Sequence, residues 1–208
     1  MVAGDESEHA RGRDDVLLRL RTGTADEHED VERTLDLLAP ALDRDRLADV
    51  LRRMHGFWVA AEAGLDRWAA SRPADASAVN WSRRRRATLF TADLQALGAT
   101  PAADGPPLPP VTDTDRALGR LYVLEGSTLG GTFIDRHLAS LPSLAGVRIR
   151  AFSPYGADTG AMWAAFRRAT RERVAGGGDA DAMVDAARET FRELATWCRP
   201  VAAAPVSA

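Results

Sequence analysis

The first feature of this sequence that could carry chemistry is His28. The chain has four histidines: His9, His28, His55 and His137. His28 lies in an apolar stripe with Leu20, Val31 and Leu35 at spacings typical of an amphipathic helix. Two interpretations are open. The imidazole is either buried, neutral and hydrogen-bonded to backbone or to Glu32 one turn later, or it is a metal ligand whose tautomer Glu32 fixes.

The second feature is a set of glycines inside a predicted helix: Gly126, Gly130 and Gly131. Each costs about 1 kcal/mol relative to alanine in a helix interior. Gly126 and Gly130 share one face, where bare backbone can approach a partner closely and the helix can bend. Tight helix packing would explain them, and so would contact with a flat ligand. A planar macrocycle such as haem needs an imidazole on one side and an unobstructed wall on the other.

Apolar residues recur at helical spacing along the chain, and the elements that position these features are predicted to be helices. The predicted helices run from about Val16 to Pro40, over 45–70, from Ser82 to about Leu97, from Asp113 or Thr114 to Pro142, over 158–175 and over 181–198. Thr24 and Glu27 resemble a capping box within the first, so a break over 22–24 is expected there. The sequence lacks an alternating strand pattern, which predicts a single compact all-α domain over 14–198. The ends, 1–13 and 199–208, are predicted to be disordered tails.

Composition excludes several function classes. All 27 basic residues among the 208 are arginine, which excludes Schiff-base, pyridoxal and Walker-type lysine chemistry. A single cysteine, Cys198, excludes internal disulfides and sites with several thiolates, and favours a reduced cytoplasmic setting. A net charge of −3 argues against nucleic acid as a partner. The sequence contains no apolar run near the roughly 20 residues of a membrane span, so a soluble protein is expected.

The run Arg83–Arg86 is the strongest local concentration of charge. Four consecutive helical residues point to all sides, so the run is predicted to be a solvated face rather than a nucleic-acid site. An acidic redox partner is a further candidate for this face. His55 and His137 are predicted to be structural.

Three separated motifs resemble the bacterial haem oxygenases, especially those found beside bacteriophytochromes. The span Leu20–His28 is similar to that family's proximal helix, and Leu121–Gly131 is similar to its glycine-rich distal helix, continued by Arg136–Leu138. Tyr155–Gly156 with Met162–Phe166 resembles the segment that returns past the haem. The resemblance covers about Val16 to Trp197 and rests on the order and spacing of the three motifs together.

The resemblance implies the haem oxygenase-like helical fold, with haem between a proximal and a kinked distal helix. It implies oxidative cleavage of haem to biliverdin, carbon monoxide and Fe²⁺, with b-type haem as both cofactor and substrate. His28 would then be the axial iron ligand. The implied catalytic positions are Gly126, Ser127 and Gly130, and the implied haem-binding positions are Arg21, Glu32, Tyr122, Gly131, Tyr155, Arg167 and Arg168. Ser127 would either anchor distal water or bond to the helix backbone, and Arg21 with Arg167 or Arg168 would pair with the propionates.

The resemblance also implies partners: O₂, an electron donor such as ferredoxin or flavodoxin with its reductase, and a bacteriophytochrome that receives biliverdin. Two alternatives stay open. One is a haem carrier or sensor on the same fold that does not turn haem over. The other is a fold relative with another substrate, such as the thiamin-degrading helical enzymes, against which His28 on the apolar stripe argues.

Overall fold

The computed structural model describes residues 15–199, in which helices are joined by loops and short 3₁₀ turns, without strands in that range. The helices are α1 (Val16–Gly23), α2 (Ala25–Leu35), α3 (Arg44–Ser71), α4 (Pro73–Ala78), α5 (Ala87–Ala96), α6 (Thr114–Gly126), α7 (Gly131–Ser140), α8 (Thr159–Ala175) and α9 (Ala180–Cys198). The all-α prediction is confirmed. The tails predicted over 1–13 and 199–208 lie outside the described residues, apart from residue 199.

Aspartate caps set the starts of four helices. The side chains of Asp15, Asp43, Asp113 and Asp179 accept backbone N–H groups at the beginnings of α1, α3, α6 and α9. A carboxylate there satisfies amides that have no partner within the helix and complements the positive end of the helix dipole. These helices therefore begin within a residue or two of the positions expected from the sequence.

The first predicted helix is divided at Thr24, in the segment where a break was expected. The predicted capping box is wrong, because the Thr24 hydroxyl donates to the Leu20 carbonyl (2.7 Å) instead of capping α2. Arg188 of α9 donates to the carbonyl of Gly23 (2.5 Å), which holds the end of α1. Helix α2 ends at Leu35, before Pro40, because Asp36 has a left-handed backbone with φ of 47°.

The helix predicted to continue to Pro142 is interrupted beside the glycines. Helix α6 ends at Gly126, residues 127–130 form turns, and α7 begins at Gly131. Hydrogen bonds between residues three apart run through this segment. The Leu129 amide donates to the Gly126 carbonyl, and the Gly131 amide donates to the Thr128 carbonyl. The chain is therefore bent at the glycine-rich segment, and this bend is called the distal bend below.

Helix α9 lies at the centre of the fold and packs against α6, α2, α1 and α3, while α1 also packs against α8. Close approach of α6 to α9 depends on Gly119, since a methyl group there would overlap the Met183 carbonyl. Cys198 at the end of α9 is a buried free thiol. None of the helices in the described part of the chain has the length and apolar content needed to cross a membrane.

Candidate functional site

His28 projects from α2 with an exposed side chain. Its side chain is 56% exposed, and Nδ1 lies 3.8 Å from Glu32 Oε2, too far for a hydrogen bond. The ring stands with its edge against Phe191 of α9, with centroids 5.5 Å apart and planes at 89°. The interpretation of a buried, internally hydrogen-bonded imidazole is therefore wrong. An accessible imidazole, packed on one side by an aromatic ring, has the chemistry of a ligand to an added metal centre.

The glycine-rich segment presents bare backbone to open space. A methyl group added at Gly126 or at Gly130 would have no atom within 4 Å. Beside them, Leu129 is 49% exposed and Phe133 is 64% exposed, although both are large apolar side chains. Helix packing does not explain these two glycines, since nothing in the described structure packs on them. An apolar ligand placed against this backbone would cover both the glycines and the exposed side chains.

Two contacts join the chain segments that carry His28 and the glycines. Near the start of α2, the side chain of Tyr122 on α6 reaches Thr24. Beyond its end, the His137 ring on α7 is hydrogen-bonded to the Ala39 carbonyl (3.2 Å). The number of residues from Thr24 to Ala39 equals the number from Tyr122 to His137. Between these contacts His28 lies in one segment and the distal bend in the other, and the space between the two segments is called the gap below.

Helical spacing indicates which way His28 and Gly126 face. His28 lies four residues after Thr24, and Gly126 lies four residues after Tyr122. Residues four apart share a helix face. His28 and Gly126 therefore lie on the same faces as Thr24 and Tyr122, the two residues whose contact joins these segments. A flat ligand ligated by an imidazole, such as haem, fits this arrangement of one exposed nitrogen ligand and one open backbone wall.

Gly131 has a different environment from the other two glycines. A methyl group there would overlap the Phe152 carbonyl and approach the Ser153 hydroxyl to 3.0 Å. The bare α-carbon therefore lets the start of α7 pack against the loop at Phe152. For this residue the structure supports the packing explanation, and contact of its α-carbon with a flat ligand has no geometric support.

The arginine run is where the structure differs most from the sequence prediction. Arg84 and Arg86 are buried, whereas Arg83 and Arg85 are exposed and pair with Asp158 and Asp66. The prediction of a solvated helix face is wrong because only a 3₁₀ turn forms over Trp81–Arg83 and α5 begins at Ala87. Alternate residues of this non-helical segment therefore point in opposite directions.

Both buried guanidinium groups hold the distal bend. Arg84 forms an ion pair with Glu125, the residue before Gly126. Arg86 donates to the Leu124 carbonyl and, from Nη2, to the Ser127 hydroxyl (2.8 Å). Burial lowers the pKa of the Arg86 guanidinium, and the nearby Glu125 carboxylate opposes that shift. Ser127 also donates to the Leu124 carbonyl (2.7 Å), so its hydroxyl is bound to the helix backbone, the second of the two arrangements expected for it.

Glu62 of α3 binds the backbone of Arg86. Its Oε1 accepts the backbone N–H groups of Arg86 (2.6 Å) and Ala87 (2.9 Å) at the start of α5. Burial raises the pKa of the Glu62 carboxyl, and these two backbone bonds oppose that rise. Sequence reasoning missed Arg84, Arg86 and Glu62. One signal was present, because Glu62 lies four residues after Trp58 on the apolar side of α3, and a buried carboxylate requires donors.

The two tyrosines proposed for the site have different surroundings. Tyr122 is half-buried and lies 6.2 Å from the Trp163 ring on α8, between centroids. Burial raises its pKa, and the side chain of Thr24 opposes that rise. The hydroxyl of Tyr155 donates to Glu125 Oε1 (2.7 Å). Tyr122 thus borders the open gap, while Tyr155 belongs to the polar cluster under the distal bend.

The candidate propionate partners lie on the adjacent helices α1 and α8. Arg21 is exposed on α1 near Tyr122. Arg167 and Arg168 are exposed on α8, where Arg168 lies 3.9 Å from Glu172. Burial raises the pKa of Tyr122 and the charge of Arg21 opposes that rise, which indicates that the two side chains are close.

The other histidines of the described chain have structural partners. His55 is buried, and its Nε2 lies 3.1 Å from the Thr91 hydroxyl. His137 makes the contact with Ala39 described above. Within residues 15–199, no group of three or more His, Cys, Asp or Glu side chains is arranged to hold a metal ion. Ligation by protein in the gap therefore rests on His28 alone, which suits a metal whose other ligands come from a macrocycle.

Comparison with known proteins agrees with this geometry. The model of the Heme oxygenase family matches residues 14–199. A heme oxygenase of Xanthomonas campestris pv. campestris (strain 8004) is 37% identical over 97 residues, which cover 47% of this chain and 55% of that relative. The chain thus aligns with about half the length of this curated relative. The NO- and CO-bound heme oxygenase of Neisseria meningitidis has a similar structure, with a TM-score of 0.72 and 23% identity over 93% of this chain and 94% of that one.

Proposed function

This chain belongs to the haem oxygenase family, and from that premise we propose that it cleaves haem to biliverdin, carbon monoxide and Fe²⁺, using O₂ and electrons from an external donor. The observation that carries the proposal is the gap between the exposed imidazole of His28 and the open backbone at Gly126 and Gly130. A carrier needs an iron ligand, but it has no need of two bare glycines beside open space.

His28 is the residue that would hold the haem iron. Its exposed ring is already oriented by the edge contact with Phe191. Glu32 lies on the Nδ1 side of the ring, where a small rotation of the side chain would allow Nδ1–H to donate to the carboxylate. That bond would fix the tautomer and leave Nε2 as the ligand atom. The protein would thus supply one oriented imidazole.

Gly126 and Gly130 would form the opposite wall. The haem supplies redox chemistry at its iron, and its own ring is the substrate. The role of the protein would be steric, since backbone without side chains would leave room for O₂ beside the haem. Leu129 and Phe133, which are exposed without a ligand, would cover the ring and keep bulk water out.

Arginines would bind the propionates at the edge of the haem. Arg21 borders the gap beside Tyr122, and Arg167 or Arg168 on the neighbouring α8 is the second candidate. Because the chain has no lysine, arginine is its only permanently cationic side chain. A planar guanidinium binds a carboxylate through two parallel hydrogen bonds, which fixes orientation as well as position.

Electron donor, product acceptor and location are part of the same proposal. A small donor such as ferredoxin or flavodoxin with its reductase would supply electrons, and a bacteriophytochrome would receive biliverdin. The single cysteine and the lack of an apolar run near the length of a membrane span fit a cytoplasmic protein. The test below replaces the biological donor with a chemical reductant, so it does not depend on these partners.

Hemin turnover tests the proposal. Hemin is added to the protein, followed by ascorbate under air, and the visible spectrum is recorded. Loss of the Soret band with formation of biliverdin supports a haem oxygenase. A stable haem spectrum would instead indicate a carrier, and failure to bind hemin would reject both functions.

His28→Ala identifies the ligand in the same assay. We expect turnover to be lost, folding to be retained, and added imidazole to restore part of the activity by occupying the vacated position. His55→Gln is the matched control, because His55 is buried and its Nε2 is paired with the Thr91 hydroxyl. Full activity of His28→Ala would show that the ligand is another residue.

A further inference from the structure

A buried ion pair lies directly under the distal bend. The side chains of Arg84 and Glu125 are 0% and 1% exposed, and Arg84 Nη1 contacts Glu125 Oε2. Removing two charges from water is costly, and apolar residues of similar volume often give equal or greater stability. Stability alone therefore does not account for a pair buried this completely.

The pair draws four segments of chain together. Glu125 Oε1 accepts a hydrogen bond from the Tyr155 hydroxyl (2.7 Å). Arg84 donates from Nη2 to the Met162 carbonyl (3.1 Å) and from Nε to the Val79 carbonyl. Burial and the neighbouring Glu125 carboxylate raise the pKa of Tyr155, which keeps its hydroxyl protonated as a donor. The segments at 79–84, the end of α6, the loop at 155 and the start of α8 all meet at the Arg84–Glu125 pair.

Glu125 is also bonded through its backbone to the bend. Its carbonyl accepts the amide N–H of Thr128 (3.0 Å) and the Thr128 hydroxyl (2.7 Å). The carboxylate and the carbonyl of one residue are thus both held, immediately before Gly126. This leaves the α6–α7 junction little freedom to change its angle.

We propose that Arg84, Glu125 and Tyr155 form a positioning cluster that sets the angle of the distal bend and thereby the height of Gly126 and Gly130 above the haem. The proposal rests on the function proposed above only in its second part, since the bend exists without haem. None of the three side chains needs to touch the haem. Loss of the cluster would loosen the bend and allow the backbone wall to move away from the ring.

The central test replaces the ion pair with apolar residues, Arg84→Met with Glu125→Leu, and measures amide hydrogen exchange of the protein without haem. We expect exchange over residues 126–131 to accelerate by at least about fivefold, while exchange in α9 stays unchanged. Unchanged exchange at the bend, or equal acceleration along the whole chain, would overturn the proposal. The second result would indicate that the pair serves general stability.

Tyr155→Phe is the milder variant in case the double substitution does not fold. It removes one hydrogen bond and leaves both charges paired, so we expect faster exchange at the bend with a smaller factor. Unchanged exchange at the bend in this variant would also count against the cluster. Glu189→Gln is the matched control, since it breaks the ion pair with Arg116 near the other end of α6 and should leave the bend unchanged.

Hemin measurements test the link to function. In the double variant we expect hemin affinity within about threefold of wild type and turnover with ascorbate at saturating hemin reduced by about tenfold. Wild-type turnover would reject the role in the reaction. If the wild-type protein itself fails to degrade hemin, the proposed function fails, and the exchange measurement still decides whether the cluster sets the bend.

Discussion

Arg86 Nη2 lies 2.8 Å from Ser127 Oγ, although 41 positions separate the two residues in the sequence. The same guanidinium donates to the Leu124 carbonyl and to the Ala151 carbonyl (3.1 Å) and lies 4.9 Å above the centre of the Trp58 ring. One buried side chain therefore joins α3, the distal bend and the loop at 151. The bend depends on residues that are distant in the sequence.

Arg86→Met should destabilise the protein by about 2–4 kcal/mol, because it removes buried charge-assisted hydrogen bonds to the Leu124 and Ala151 carbonyls. Urea unfolding of the protein without haem measures this directly. Arg85→Met is the matched control: its partner Asp66 is exposed, and a surface pair contributes less than about 1 kcal/mol. Equal effects of the two substitutions would show that burial of Arg86 is unimportant.

Gly130→Leu should separate stability from function. The position has helical backbone angles, with φ of −77°, and open space around the α-carbon, so the free energy of unfolding should stay the same or rise by about 0.4–1 kcal/mol. The added side chain would occupy the space needed beside the haem, and hemin turnover should fall by at least about tenfold.

Gly131→Ala, unlike Gly130→Leu, should make the protein less stable. Its methyl group would overlap the Phe152 carbonyl, and the strain should cost about 1–3 kcal/mol of stability. Thermal unfolding and hemin turnover of the two glycine variants are measured together. Wild-type biliverdin yield from Gly130→Leu would refute the backbone wall.

Arg21→Ala should weaken hemin binding by about tenfold, the loss of one exposed charge-assisted hydrogen bond worth about 1.4 kcal/mol. Arg33→Ala is the control, since Arg33 pairs with Glu29 and Asp30. Hemin titration compares the two, and high salt should reduce the difference. Equal affinities of the variants would exclude Arg21 as the propionate partner.

His55 should make the protein less stable at acid pH. Burial lowers its pKa from 6.5, so below this value the unfolded chain takes up a proton that the folded protein does not. The stability contribution is therefore present above pH 6.5 and is lost as the pH falls from 6.5 towards the lower folded pKa, by at most about 1.4 kcal/mol per pH unit. Urea unfolding at several pH values measures the slope. His55→Gln should flatten it, and an unchanged slope would show that another group is responsible.

Local patterns in the sequence predicted much of the framework. The helices that begin after Asp43 and Asp113 were expected because capping and apolar periodicity act over a few residues. The two features of the site, His28 and the glycines, were conspicuous because each is unusual in the helix predicted for it. Of the two interpretations open for His28, the buried imidazole is wrong, because periodicity does not distinguish a stripe that packs in the core from one that is exposed.

The arginine run shows what local patterns do not contain. Arg84 and Arg86 have partners at Glu125, Leu124 and Ser127, about 40 positions away. Charge alone predicted exposure, and the helix expected from Ser82 concealed the alternation of buried and exposed residues. Buried charges are determined by tertiary contacts, so a single sequence identifies them only when the opposite charge is also recognised as buried.

The crystal structure of the protein with bound hemin tests the central claim most directly. The account predicts that His28 Nε2 ligates the iron and that the backbone at Gly126 and Gly130 faces the opposite side of the ring. Ligation by His55, by His137 or by no protein side chain, or hemin bound outside the gap between α2 and the distal bend, would contradict it.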